Sequence, residues 1–491
     1  MIELLILIPA LAGAAAFFIA QDRLRRLLLV SAAIAQAALS IATWIVPPAP
    51  ALNGWLAEDA LGRLFLTLTS LLFLASSFYA VAYLRGELGG RQHSDFEEGF
   101  LFSNAREASF TGCLLMFLAA MTLVTLSQHL GLLWVAVEAT TLASAPLIYF
   151  HRHHRSLEAT WKYLLICSVG IALALLGIFF LAVAAGSPGT VSVSLVLKEV
   201  LFAAPHLNPL WLKAAFVLML VGYGTKMGLA PFHTWLPDAH SEAPSVASAL
   251  LSGALLNCAF LGILRIHQVC LASGLADFSE RLLLVLGLLS MAVAAIFITG
   301  QVDYKRMLAY SSVEHMGILA VGVGLGGAGL FGAMLHVVNH SLTKAMLFMV
   351  AGHLLAVYRT KTAKDVSGAL RVLPVSGVLW ILGLLAITGS PPFGPFLSEL
   401  AILKAALDQG RAFVAIAYLI FLAIILAGMA TPALAMAQGT PSDTIVVPAG
   451  RGFALSAVPT ILGASVLLMG LYVPPVLTRT LVEAARLLGH G

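Results

Sequence analysis

Runs of about 20 mostly apolar residues, the length a helix needs to cross a hydrocarbon layer, recur fourteen times in this 491-residue chain. They lie at roughly 2–21, 27–47, 61–84, 108–127, 129–150, 160–186, 209–229, 242–264, 279–300, 306–326, 329–357, 375–404, 413–433 and 454–473. A further stretch at 190–203 is not clear enough to add. Such a pattern leaves few folds open. Inside lipid every backbone N–H and C=O must find its partner within the protein, which restricts spanning structures to helices and closed barrels. Runs of this length are helices, so the chain is expected to be an all-α integral membrane protein with about 14 transmembrane helices. Only 10% of its residues are charged and 60% are hydrophobic, against about 25% charged in a soluble domain. A soluble enzyme, a disordered chain and a nucleic-acid binder are thereby excluded.

The connections sort the remaining charge. Those after odd-numbered runs hold 16 lysines and arginines, and the opposite side holds 8. The richer side is expected to be cytoplasmic, which sets both termini on the outer side of a cell inner (plasma) membrane. The longest charged connection, 85–107, carries Arg85, Glu87, Arg91, Asp95, Glu97, Glu98, Arg106 and Glu107 and reads as a solvated surface. Asp303, Lys305 and Arg306 read as a short solvated turn. The apolar start, residues 1–19, lacks the basic flank and cleavage site of a signal peptide and is taken as the first span. Cys113, Cys167, Cys258 and Cys270 all lie in or beside apolar runs with no CxxC pair, so neither a zinc site nor an iron–sulfur ligand set is expected of them.

The spans divide as 1–107, an N-terminal three-helix segment with its charged loop; 108–264, five spans; 279–433, five more; and 434–491, a last helix and tail. In each five-span block the second span carries one glutamate, Glu138 or Glu314, and the fourth is interrupted by proline, at GTKMGLAPF (224–232) and ITGSPPFGPF (387–396). An odd number of spans per block reverses the second copy, the arrangement of inverted repeats.

Three basic residues, Lys226, Lys344 and Lys404, fall inside spans. A charge at mid-bilayer costs about 2.5–3.5 kcal/mol even on lenient scales, so function is the default expectation. Glu138 reads either as a carboxylate satisfied by a neighbouring Ser or Thr or as the acid paired with a lysine on another span. Lys226 precedes the Pro231 break; its alternative is a lysine snorkelling from a span end. His336, His340 and Lys344 are spaced i, i+4, i+8 and rotate by only about 40° per step, forming one polar stripe. Histidines four apart can hold zinc, but no HExxH is present and a protonated lysine does not ligate. A hydrated proton relay suits groups that both donate and accept. Glu314 and His315 add a second acid–base pair. Glu399 and Lys404, five residues apart, sit about 140° apart on a helix, so one faces inward and the other an interface; Glu399, nearer the break, is the inward choice.

With these residues, the chain resembles the antiporter-like membrane subunits of respiratory complex I and of membrane-bound hydrogenases. The resemblance rests on KMGLAPFHTWLPDAHSEAPSVASALLSGALLN (226–257), DYKRMLAYSSVEHMG (303–317), HSLTKAMLF (340–348) and ITGSPPFGPFLSELAIL (387–403). The wording of SSVEHMG and PPFGPFLSE is most like the hydrogenase-4 component F branch. The resemblance implies fourteen spans in two inverted five-helix repeats with helices seven and twelve broken. It also implies a proton path: Glu138 as acidic partner, Lys226 as first-half lysine, Lys344 with nearby histidines as relay, and Glu399 or Lys404 at the exit. Complex I relatives of the subunit-4 type carry a lysine where this chain has Asn257, so the middle of the path would use water with His233, His240, His315 or His336. With few residues after the fourteenth run, a lateral extension like that of subunit-5 types is not expected.

Three functions follow: a proton-translocating subunit of a redox-driven complex, a subunit of a cation/proton antiporter not coupled to redox, and a passive scaffold for a peripheral enzyme. The chain holds no flavin or nucleotide fingerprint, so no cofactor or metal is expected in it and no redox catalysis in the chain itself. Electrons would be handled by iron–sulfur and hydrogenase-like or dehydrogenase-like peripheral partners, reached through other membrane subunits.

Overall fold

A computed structural model describes residues 1–86, 92–94, 101–186, 194–441 and 452–489. Of the charged residues read from the sequence, Glu87, Arg91, Asp95, Glu97, Glu98 and Arg451 lie outside the described residues. The chain is helical as expected: α1 Ile2–Phe18, α2 Asp22–Ala42, α3 Ala60–Gly86, α4 Glu107–Leu126, α5 Leu130–Ile148 and α6 His154–Ala185. After these come α7 Leu197–Ala203, α8 Pro209–Met227, α9 Trp235–Glu242, α10 Ser245–Leu250, α11 Leu256–Ala272, α12 Ala276–Ile298 and α13 Tyr304–Leu325. The last are α14 Ala328–Tyr358, α15 Ala369–Val372, α16 Pro374–Ile387, α17 Gly394–Asp408, α18 Ala412–Ala437, α19 Gly452–Leu471 and α20 Pro475–Arg486. A short antiparallel pair, β1 Gln92–Ser94 and β2 Leu101–Ser103, lies in the charged connection.

Twelve helices among the described residues are long and apolar enough to cross a membrane. The count of fourteen is not reached by that measure, because α1 has 17 residues and the run at 375–404 is split into α16, of 14 residues, and α17. Among the described residues of the stretch at 190–203 lies the seven-residue α7. An amphipathic α20 follows the last run and packs against α3 and α14.

Both breaks have local causes. At the end of α8, Gly228 takes a left-handed conformation, φ +85°, and its N–H bonds back to the Thr225 carbonyl, a glycine-terminated helix end. Pro231 has no N–H to continue the ladder. The indole N–H of Trp235 donates to the Thr225 carbonyl at 2.8 Å, satisfying an end the break exposes. At the second break Pro391 and Pro392 likewise offer no N–H, and the Ile387 carbonyl four residues before Pro391 is left to another partner.

The rod formed by α10 and α11 is buried on all sides, and α13 nearly so, whereas α18 is mostly exposed. The polar groups discussed below surround that central rod. It contains a π-turn at Leu251–Leu255, and it is longer than expected, running to Ala272. Arg265, assigned from the sequence to an outer connection, is therefore inside the helix and buried. It makes a bidentate pair with Asp59, Nη2 to Oδ1 being 2.8 Å. Small residues let α6 and α8 approach closely: a Cβ on Gly222 would stand 2.6 Å from the Gly170 carbonyl, the close backbone packing membrane helices favour.

A buried chain of acids, lysines and histidines

Glu138, on α5, does not touch Lys226 directly. Thr141, one turn on, donates to Glu138 Oε2 at 3.1 Å and accepts from Lys226 Nζ at 2.9 Å. Ser168 of α6 donates to the other carboxylate oxygen at 2.8 Å. Hydroxyls therefore satisfy Glu138, and one of them also contacts the lysine. Lys226 is fully buried at the last turn of α8, so it does not snorkel. It also donates to Tyr163 OH at 2.5 Å and lies 4.4 Å from that ring's centre; Tyr163 in turn shares a 2.6 Å bond with Ser144.

The middle is held by neutral groups. Asn257 donates from Nδ2 to the Gly253 carbonyl, within the π-turn, at 2.8 Å and to Ser341 of α14 at 2.8 Å. Ser252 and Ser312 bond at 2.8 Å between the rod and α13. Thus the position that lacks a lysine ties α11 to the histidine-bearing helix.

The stripe of α14 is buried as one unit: His336, His340 and Lys344 are each fully inaccessible. Lys344 Nζ donates to the Leu308 carbonyl at 2.6 Å. His315 Nδ1 and His336 Nε2 are 2.8 Å apart, His315 Nε2 meets the Ile387 carbonyl freed by the second break at 3.0 Å, and His336 Nδ1 meets Ser398 Oγ at 2.9 Å. The Glu314 carboxylate is buried 3.9 Å from His315 Nε2. Glu399, beside Ser398 on α17, is 5% exposed; its Oε1 has no partner among the described residues. Gly389 in the break lies against this carboxylate, since a Cβ there would come within 1.9 Å of Oε2. Lys404 is elsewhere: its side chain is 71% exposed and ion-paired with Asp408 one turn on, so the inward choice between the two is Glu399.

His240 and His233 follow the first break. His240 is buried, stacked on Phe348 of α14 at 4.8 Å between ring centres, with both ring nitrogens unpartnered among the described residues. His233, nearer the surface, approaches Tyr310 at 6.1 Å.

Sequence reasoning missed Lys305. It is not in a solvated turn; it is buried and donates to the carbonyls of Ser241 and Ala243 at 3.0 and 2.7 Å, capping the end of α9. The real turn residue is Asp303, whose carboxylate N-caps α13. Lys305 lines a cavity of about 110 Å³ together with His151, His153, Glu242, Lys361 and Tyr83. Glu242 pairs with Lys361 at 2.8 Å. A water centre needs about 10–15 Å³, so this vestibule has room for several. Of the missed hydroxyls, Thr141 and Ser398 left one faint signal, a polar residue within a turn of a glutamate in an otherwise apolar run, and Tyr163 left none.

Residues 127–425 match the transmembrane family described as NADH:quinone oxidoreductase/Mrp antiporter. A hydrogenase-4 component F homolog of Methylacidiphilum infernorum is 37% identical over 350 residues, 71% of this chain and 72% of that protein. Among solved structures, a chain of the archaeal membrane-bound sulfane sulfur reductase superimposes with a TM-score of 0.86 at 19% identity, covering 99% of this chain and 97% of the other. A chain of the Mrp complex from a Dietzia species gives a TM-score of 0.85 at 21% identity, over 99% and 97%. At those identities the likeness is one of fold.

Proposed function

Because this chain belongs to the NADH:quinone oxidoreductase/Mrp antiporter transmembrane family, we propose that it is a proton-translocating, antiporter-like subunit of a redox-driven membrane complex. It is a multi-pass membrane protein, and its structural relatives are components of multi-subunit membrane complexes. The hydrogenase-type relative favours redox coupling over a free-standing cation/proton antiporter. Iron–sulfur and hydrogenase-like or dehydrogenase-like chains are the proposed electron-carrying partners, acting through neighbouring membrane subunits.

The carrying observation is that the titratable groups, half-buried at Glu138 and buried elsewhere, form one interrupted series across the fold. Glu138, Thr141 and Lys226 make the first segment; Asn257 with Ser341 bridges the centre; Lys344, His340, Glu314, His315, His336 and Glu399 make the second. Unpartnered nitrogens on His240 and His340 are sites where water completes the gaps, since buried polar atoms rarely stay unsatisfied. The vestibule beside Lys305 is the proposed entry, with His240 between it and Lys344. The blocks 108–264 and 279–433 are the proposed inverted repeats, supported by their matching acids on α5 and α13 and matching breaks after α8 and α16.

In use, movement in a partner subunit displaces Glu138 from the Thr141 bridge. Lys226 then loses the nearby negative charge that favours its protonated form and gives up its proton toward the centre. Replacing Lys226 by alanine in the intact complex is expected to abolish translocation while leaving electron transfer measurable. An unchanged proton-to-electron ratio would overturn the reading. Copurification of hydrogenase-like and iron–sulfur chains separates it from the antiporter alternative, for which only small membrane subunits are expected.

A further inference from the structure

His315 and His336 are held as metal ligands are held. A ligating histidine normally donates its outer ring N–H to a carbonyl, carboxylate or water, which fixes the tautomer and aims the other lone pair inward. His315 Nε2 faces the Ile387 carbonyl, which can only accept. His336 Nδ1 faces Ser398 Oγ, and that hydroxyl has its own acceptor in the Pro395 carbonyl at 2.9 Å. With both outer nitrogens donating, His315 Nδ1 and His336 Nε2 point lone pairs at one another across 2.8 Å. In that tautomer a cation between the two nitrogens holds them together; in the other His336 tautomer, with Ser398 donating to Nδ1, the same 2.8 Å contact is an ordinary N–H···N hydrogen bond.

The neighbours complete a donor set. One ligating atom each from His315, His336 and Glu399 lie within 4.8 Å of one another, all three residues being buried. Glu399 Oε1 is buried and unpartnered among the described residues, as are both ring nitrogens of His340. The His340 ring centre is 5.1 Å from that of His315.

We propose that His315 Nδ1, His336 Nε2 and the Glu399 carboxylate form a binding site for a divalent transition-metal ion of the zinc type, with His340 as fourth ligand. Zinc takes four N, O or S ligands with Zn–N near 2.0–2.1 Å, which sets two tetrahedral nitrogens about 3.3 Å apart. The histidine pair therefore opens by about 0.5 Å from its present separation, and Glu399 closes in by rotating its own side chain. Magnesium and calcium, which prefer all-oxygen shells, do not suit two imidazoles. An ion here fills the space between the two rings through which a relayed proton would pass, so it acts as a block. The binding itself rests only on the donor set; the block rests on the relay proposed above.

Cobalt(II) is the probe, because it takes zinc's geometry and absorbs visibly. Added to the purified full-length chain and then desalted, it should leave one ion per chain with the strong visible bands of a four-coordinate site, displaced by zinc. E399Q should weaken binding at least tenfold and H336Q about a hundredfold, since losing even an outer-shell support of a ligand costs about 10–100-fold. H353Q should leave it unchanged, since His353 is engaged with Ser376 at 2.8 Å. Elution as a single species and an unchanged melting temperature identify which variants are folded. Equal cobalt retention by the wild type and a folded E399Q or H336Q would overturn the site, as would absence of the bands at saturating cobalt. Zinc bound at this site with undiminished proton translocation in the complex would leave the site standing and overturn the relay through it.

Discussion

At the residue scale the lysine–glutamate pair is joined by a hydroxyl, and that detail is testable. Thr141→Val keeps shape but removes the atom that bonds both Glu138 and Lys226. Leaving a buried charged group short of a partner costs about 1–3 kcal/mol. Thr141→Val should cut translocation roughly tenfold, the rate equivalent of about 1.4 kcal/mol, while Thr141→Ser keeps most of it. Proton uptake by vesicles containing the complex measures both. Gly389 offers a second test. Its φ is +65°, a region that costs a residue with a Cβ about 1–2 kcal/mol, and the added methyl collides with Glu399 Oε2. Gly389→Ala should impair translocation nearly as much as Glu399→Gln, because both take the carboxylate out of place. A Gly389→Ala complex with wild-type proton flux would show that the position of Glu399 does not matter.

At the scale of elements, most of the spans and both breaks were legible because their signals are composition and proline, which act locally. What the sequence could not display was depth. DYKRM at 303–307 has the spelling of a solvated turn, yet the lysine side chain enters the fold to cap α9, a helix 60 residues away in sequence. Arg265 looked terminal because the apolar run ended at 264, whereas α11 continues about two turns further, to Ala272, with Asp59 pairing the arginine. Only partners from distant segments decide such cases. The Asp59–Arg265 pair ties the start of α3 to the end of the central rod. Breaking such a buried pair leaves a charge uncompensated, so Arg265→Met should destabilise the protein by about 3 kcal/mol, with part of the loss recovered in the double variant with Asp59→Asn. Burial pushes the Asp59 carboxyl up, but the Arg265 guanidinium outweighs it and holds the group below its ordinary value. A depressed carboxyl stabilises fully above its unfolded value, near 3.9, and loses that contribution as pH falls through the folded value. Thermal melts should therefore show no contribution from this pair to any change between roughly pH 5 and 8, and its loss only below about pH 4.

At the scale of the whole molecule the vestibule gives the charge asymmetry a place. The ends of α3, α9 and α14 and the starts of α6, α10 and α13 meet around one cavity carrying His151, His153, Lys305 and Lys361, all on the side to which the sequence assigned the excess of basic residues. Basic connections are retained on the cytoplasmic side, so the vestibule should open to the cytoplasm and Glu399, on α17 beyond the second break, should communicate with the outer face. A single cysteine at Thr362, beside the vestibule in the connection after α14, should react with a membrane-impermeant maleimide only in inverted vesicles. One at Gln409, in the turn after α17, should react only from outside in intact cells. The reverse pattern would invert the molecule, and with it the entry and the exit: Lys305 would then guard the outlet and Glu399 would face the cytoplasm. The labelling thus decides which end of the same series receives the proton.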